Sequence, residues 1–201
     1  MSDWKGPLGN IRVLDFTRVL AGPFATQLLG DLGAEIIKIE APGKGDDTRS
    51  FPPFLGPLSH YFIALNRGKK SIVLDLRQPE AINIVHKMVE HVDVVVENFR
   101  PGVMDRLGLG YDKLSEINPR LIYCGISGFG ATGPMRDKPS FDIVTQALSG
   151  AMSVNGEPGQ PPVKLGLPLG DMVGGIYGSI AILAALDRKS TRLNSSHLGI
   201  S

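Results

Sequence analysis

Asp171 stands in Gly166-Leu-Pro-Leu-Gly-Asp171-Met-Val-Gly-Gly175, at the mouth of an apolar run of helical type. Two readings fit it. Aspartate is a preferred N-cap, its carboxylate accepting from the free amides of a helix's first turn. The same placement suits a nucleophile, because the helix dipole and nearby N–H groups favour the ionised form. An ionised, oriented carboxylate can attack the carbon of a thioester or anhydride. Gly170, Gly174 and Gly175 would leave room around it for a substrate carbonyl. Arg77, Arg106 and Lys138 fall near predicted strand ends and loop exits, where they can meet the phosphates of a ligand. Singly each reads as a solvated charge; their common edge gives them weight. Cys124, in an apolar run, reads as a buried and inert thiol. His60, His86, His91 and His197 show no metal-ligand spacing and read as surface residues, so no metal site is expected.

These groups need a scaffold, and the first forty residues announce one. Residues 11–16 form a short apolar strand. Residues 17–23 break it, with Gly22 as N-cap and Pro23 at the first helical position. Phe24, Ala25, Leu28, Leu29 and Leu32 recur at helical spacing, Gly33 suits a left-handed cap, and 36–40 is a second strand. Such a unit pairs its strands in parallel, and ligands bind off their carboxyl ends. The first loop is therefore a candidate site. With only Gly22 it lacks the three glycines of a dinucleotide fingerprint. Glu40 mimics the ribose-binding acid of such enzymes but reads as a solvated acid closing a strand. A plain turn, or a nucleotide-like ligand on the backbone of residues 19–21, stays open.

The rhythm continues. Strands are expected at 70–76, 92–97 and 121–126, and helices at 79–89, 103–107, 111–118, 141–150 and 171–186, with a glycine-rich loop at 127–134. The alternation implies an α/β fold with an open, doubly wound parallel sheet of Rossmann type. At 201 residues the chain makes one domain or the larger part of one. A net charge of +1 without a basic stripe argues against nucleic acid. No apolar run approaches membrane-spanning length and residues 1–9 lack a signal-peptide layout, so no membrane role is expected. A lone cysteine suits a reducing, cytoplasmic setting. After Leu186 the apolar period stops. Residues 187–201 resemble translated adapter sequence and are expected to be a non-native tail, with 1–186 the N-terminal part of a larger domain. On the preceding helix, Ile176, Ile180 and Leu183 are expected to lie exposed for a missing partner segment.

Several motifs resemble the start of a class III coenzyme A transferase: Val13-Leu-Asp-Phe-Thr17, Ala21-Gly-Pro23, Leu32-Gly-Ala34, Ile37-Lys-Ile-Glu40, Gly45-Asp46 with Arg49, Asn66-Arg-Gly-Lys-Lys-Ser71, Val96-Glu-Asn-Phe99, Pro101-Gly102, Arg106-Leu-Gly108 and Gly133-Pro134. The group includes formyl-CoA, carnitine and succinyl-CoA transferases and the α-methylacyl-CoA racemases. The resemblance implies the N-terminal part of a two-domain fold, completed in an interlocked homodimer. It implies Asp171 as catalytic nucleophile, with an aspartyl mixed anhydride and an aspartyl-CoA thioester as intermediates. It implies acyl-CoA and a small carboxylic acid as partners, coenzyme A being a co-substrate and not a resident cofactor. CoA contacts carry over to Val19, Leu20, Ala21, Leu74, Asp75, Leu76, Arg77, Asn98, Phe99, Arg100, Arg106, Lys138 and Phe141. Ala41 and Leu20 stand where formyl-CoA transferase carries arginine and glutamine, which weighs against formyl or oxalyl specificity. Racemisation is the alternative activity, but the racemase histidine falls at Phe141, which cannot shuttle a proton. A further alternative is an inactive CoA-binding fragment.

Overall fold

The computed structural model describes residues 6–194, with side chains to residue 190. In chain order the elements are β1 (Arg12–Asp15), α1 (Ala21–Asp31), β2 (Glu35–Glu40), β3 (Phe54–Leu55), β4 (Leu58–Ser59), α2 (His60–Asn66), β5 (Lys70–Val73), α3 (Pro79–Val89), β6 (Val94–Glu97), α4 (Val103–Arg106), α5 (Tyr111–Ile117), β7 (Ile122–Gly125), α6 (Asp142–Leu148) and α7 (Leu169–Asn194).

Val94, Val95 and Val96 are consecutive and all completely buried, as in a strand covered on both faces. Their neighbours show how. Val94 and Val96 point with Val13 toward Leu29 of α1 and Ile182 of α7. Val95 points with Leu14 toward Val85 and Val89 of α3 and Leu114 of α5. The sheet between these layers is entirely parallel, in the order β5-β2-β1-β6-β7. This is the doubly wound arrangement expected from the sequence, and all five sheet strands fall where the apolar runs placed them. The strand order reverses between β1 and β6. The loops leaving those two strands therefore flank the crevice where such sheets take ligands.

Several details differ from expectation. Helix α1 begins at Ala21, so Gly22 and Pro23 lie inside its first turn, where proline's missing N–H still costs no hydrogen bond. Gly33 does close the helix with φ of 103°. The β3–β4 hairpin and α2 were not foreseen. Helix α7 starts at Leu169 and runs past Leu186 to Asn194. Nothing in 187–194 breaks a helix, and Lys189 donates to Asp93 at 3.1 Å. Residues 195–201, the rest of the expected tail, lie outside the described residues, as does His197.

Within Leu169–Ser190 of α7 an 18-residue stretch reaches a mean hydropathy of 1.6, so this helix is, by length and composition alone, long and apolar enough to cross a membrane. The sequence reading had expected no such run. Its buried residues, Gly175, Ser179 and Ile182, recur at helical spacing, the pattern of a core helix packed on one face. On the other side Ile176, Tyr177 and Ile180 are exposed, whereas Leu183, expected to be exposed, packs on the core.

Glu40, expected to be a solvated acid closing β2, is buried, and Asp15, at the end of β1, is fully so. Asp15 accepts from Thr17 Oγ1 at 2.5 Å, Thr26 Oγ1 at 2.7 Å and Lys69 Nζ at 3.1 Å. Burial pushes the Asp15 carboxyl up, but Lys69, Lys38 and the two threonines outweigh it and hold it below the ordinary range. Glu40, also buried, takes a bidentate pair from Arg49, at 2.7 Å to each oxygen, and bonds from Ser71 and the Asp46 amide. Burial opposes its ionisation, yet these donors hold its carboxyl at about 2. Breaking one partner of such a buried pair costs about 3–5 kcal/mol. Lys69→Met is thus expected to lower the urea midpoint by a loss of that order, with Asp15→Asn in the same chain recovering part of it.

Candidate active site

The first loop is fixed from three sides. Lys38, buried on β2, donates from Nζ to the Thr17 carbonyl at 2.6 Å. Asp46 Oδ1 accepts from the Val19 amide at 3.3 Å. Asn98, in the loop after β6, accepts from the Arg18 amide and donates to the Arg18 carbonyl, each at 2.8 Å. Arg18 also pairs with Asp47. Val19 is held at φ of 69°, a left-handed conformation that a β-branched residue rarely adopts and that surrounding bonds must maintain. The Asn98 amide is therefore first a brace between the two loops at the switch point. The Val19 amide is already engaged, and Leu20, at the N-cap of α1, is buried. Neither lines a cavity described below.

Three adjoining clefts open along this edge. One, about 410 Å³, is lined by Thr17, Arg18, Lys38, Glu40, Ala41, Leu74, Asp75, Leu76, Arg77 and Phe99. Arg77 chelates Asp75 there at 2.8 and 2.9 Å. A second, about 310 Å³, holds Asp171 together with Ala21, Asn98, Phe99, Arg100, Arg136, Lys138 and Phe141. A third, about 630 Å³, takes Arg106 with Arg100 and Arg136. Phe99 lines all three, and its amide is fixed by Glu97 at 2.7 Å. The structure thus brings Ala21, Asn98, Phe99, Arg100, Lys138 and Phe141 to Asp171, places 74–77 in the neighbouring cleft, and sets Arg106 in the third. Arg136, which lines two of them, was not singled out from the sequence.

Asp171 sits in the first turn of α7, inside the helix and not at its N-cap. The expected capping role belongs to another residue: Asp142 Oδ1 accepts from the Gly170 amide at 2.8 Å and the Asp171 amide at 3.4 Å. The expectation that local N–H groups hold Asp171 ionised is accordingly reversed. Burial pushes its carboxyl above the ordinary aspartate range, and the Asp142 charge pushes the same way. Tyr61 of α2 senses the same charges: burial first, then Asp171, Asp142 and Asp46, push its phenol up. Sequence reading missed Tyr61 because α2 itself was not recognised.

The three glycines around Asp171 divide their work. Gly174 faces open space and lines the cavity. A Cβ on Gly175 would lie 2.6 Å from the Ala21 carbonyl and 3.1 Å from the Phe24 ring, so this glycine lets α7 press on the head of α1. That contact, one turn after Asp171, is what sets the carboxylate beside the first loop. Gly170 packs on Thr145 and Asp142. Gly170 and Gly174 both line the cavity as expected, whereas the missing side chain of Gly175 serves the contact with α1. His86 differs too: it is half-buried, its Nε2 3.0 Å from the Gly108 carbonyl. Cys124 is half-buried in β7, and burial, helped by Glu97, pushes its thiol up to about 11. At neutral pH it is a protonated packing group.

The site is thus a half-buried carboxylate beside cation-lined clefts at the switch edge of an open parallel α/β sheet. Residues 8–194 match the family described as CoA-transferase family III, and the chain belongs to it. It is 48% identical to the acetyl-CoA:oxalate CoA-transferase of Acetobacter aceti, over 98% of this chain and 51% of that protein. It is 47% identical to the succinyl-CoA:glutarate CoA-transferase of Homo sapiens, over 91% of this chain and 42% of that protein. Among solved structures, a CAIB/BAIF family protein from Brucella suis superposes with a TM-score of 0.90 at 42% identity, covering 94% of this chain and 51% of that one. The chain spans about half the length of the relatives it matches.

The glycines supply a test. Gly174→Ala should be neutral or stabilise by about 0.5–1 kcal/mol through helix propensity. Gly175→Ala should destabilise by about 1–3 kcal/mol, because its methyl group meets the Ala21 carbonyl. Urea denaturation of the two variants side by side reads the difference.

Proposed function

We propose that the complete protein containing this chain transfers coenzyme A from an acyl-CoA donor to a small carboxylic acid, with Asp171 as nucleophile. One observation carries the reading: in a member of this family, a half-buried carboxylate shares its cavity with Arg100, Arg136 and Lys138 at the carboxyl edge of the sheet. The Asp171 carboxylate attacks the thioester carbon, a mixed anhydride forms, and the C–S bond breaks to release CoA thiolate. The thiolate attacks the aspartyl carbonyl, giving an aspartyl thioester and freeing the donor acid. The acceptor carboxylate then displaces the thiolate to form a second anhydride. The thiolate opens that anhydride at the acceptor's carbon, and Asp171 is regenerated.

In this reading CoA is a co-substrate held along the edge. Leu74, Asp75, Leu76 and Arg77 line the first cleft, Phe99 lies at the junction, and Arg100, Arg106 and Lys138 supply cations for phosphates. The named relatives act on oxalate and glutarate, so a dicarboxylic acid is the acceptor class we favour. The complete protein is read as an interlocked homodimer, for which exposed Ile176, Tyr177 and Ile180 offer apolar surface. Transfer is preferred to racemisation because Phe141, at the cavity mouth and 71% exposed, has no proton to exchange.

Asp171→Ala in the complete protein is expected to lower transfer by about 10⁴-fold or more. Since attack needs the ionised carboxylate, the wild-type rate should rise with pH through a value above the ordinary aspartate range. Incubation with a chiral 2-methylacyl-CoA in deuterated water should leave the α-carbon unlabelled. Retained transfer in the variant, or α-deuterium uptake without an acceptor, would refute the reading.

A further inference from the structure

We propose that Asp142, braced by Gln146, is the positioning residue that aims Asp171: it fastens the head of α7 to α6 and sets a second carboxylate beside the first. Residues 165–168 carry no regular structure before α7 begins, so the direction of Asp171 depends on what ties this segment down. Asp142 Oδ1 takes the Gly170 and Asp171 amides at 2.8 and 3.4 Å. Its other oxygen accepts from Gln146 Nε2 at 2.7 Å. Gln146, only 1% exposed, in turn donates to the Leu167 carbonyl at 3.1 Å and accepts from the Leu165 amide at 2.8 Å. Both side chains are spent on one strap, and every polar atom of Gln146 is matched.

An aspartate at the first position of α6 that caps a different helix is more than local capping requires. Asparagine would offer the same acceptor oxygen to the Gly170 amide. What aspartate adds is charge, next to a carboxylate whose protonation decides whether it can attack. The inference rests on Asp171 being the nucleophile. The groups facing Asp171 are Asp142 from α6 and Tyr61 from α2, with Arg100, Arg136 and Lys138 across the cavity. Among them, Asp142 is the like charge that keeps the Asp171 carboxyl high, after burial itself.

Two variants of the complete protein separate charge from tether. Asp142→Asn keeps the acceptor for the Gly170 amide and removes the charge, but it loses the Gln146 bond, because its amide nitrogen then faces the Gln146 Nε2 donor. With the Gly170 tie kept and the Gln146 tie lost, it should cost about tenfold in the plateau rate, less than Asp142→Ala, while the acidic limb of the pH profile moves to lower pH. Asp142→Ala removes both, and transfer should fall about a hundredfold from misaligned attack, with KM for acyl-CoA nearly unchanged. The ¹³C resonance of the Asp171 carboxyl, assigned by its loss in Asp171→Asn, supplies a readout that needs no turnover: its titration should move to lower pH in Asp142→Asn. An unmoved titration in Asp142→Asn, or full activity in Asp142→Ala, overturns the proposal. Transfer surviving in Asp171→Asn would instead refute the nucleophile, while the resonance, assigned in the same way, still reports on Asp142. Should Asp142→Ala fail to fold, the asparagine variant alone decides.

Discussion

The edge of the sheet depends on cations buried beneath the first loop. Lys38 and Lys69 are nearly inaccessible, and between them they face Asp15, Asp46 and the carbonyls of Thr17 and Pro23. Lys69 also donates to Thr26 and Asn66, at 2.8 and 2.9 Å. Burial lowers the affinity of Lys69 for its proton, and Asp15 opposes that fall. Lys38 Nζ lies 2.9 Å from Asp46 Oδ2, although the angle leaves that oxygen without a directed donor. Charges buried this way add little net stability over apolar residues, but they tolerate few arrangements of the chain around them. Here they fix a loop whose backbone passes through a left-handed valine, and Glu40 with Arg49 extends the same network to the segment after β2. The Glu40 contribution has a defined pH range. Because its carboxyl is held at about 2, that stabilisation is complete above the ordinary 4.5 and is lost as pH falls toward 2.

From this fixed loop the rest of the site follows by contact. Asn98 joins it to the loop after β6, and Gly175 brings α7 against the carbonyl of Ala21. Asp171 then lies one turn away, with its helix tied to α6 by Asp142. The carboxylate is thus placed by two independent attachments, one to α1 and one to α6. Its environment is half-buried and flanked by a like charge, so it carries its proton to higher pH than a surface aspartate. A less stabilised carboxylate is also a more reactive one once ionised, which suits the nucleophilic role proposed for Asp171.

Much of this was legible in the sequence. The apolar runs located every strand of the parallel sheet, since period and β-branching survive without tertiary information. Asp171, Asn98 to Arg100, Lys138 and Phe141 were singled out and meet in one cavity. Helix heads were misplaced because capping rules look for a partner nearby, whereas α7 is capped by a side chain 28 positions earlier. For the same reason Asp171 was read as its own cap and as easily ionised. Glu40 was read as solvated because nothing local reveals that Arg49 and Ser71 fold over it. The β3–β4 hairpin and α2 escaped notice in a stretch of prolines and isolated aromatics with no clean period, and Tyr61 went with them. Arg136 lies two residues past the glycine-rich loop, and only its spatial neighbours give it meaning.

The proposed transfer depends on a covalent bond to one side chain, Asp171. The direct measurement is peptide mass spectrometry of the complete protein, incubated with an acyl-CoA and quenched in hydroxylamine. A hydroxamate on Asp171, formed from the activated aspartyl carbonyl, is the predicted result. Rapid CoA transfer with Asp171 unmodified, or with the label on another residue, would contradict it.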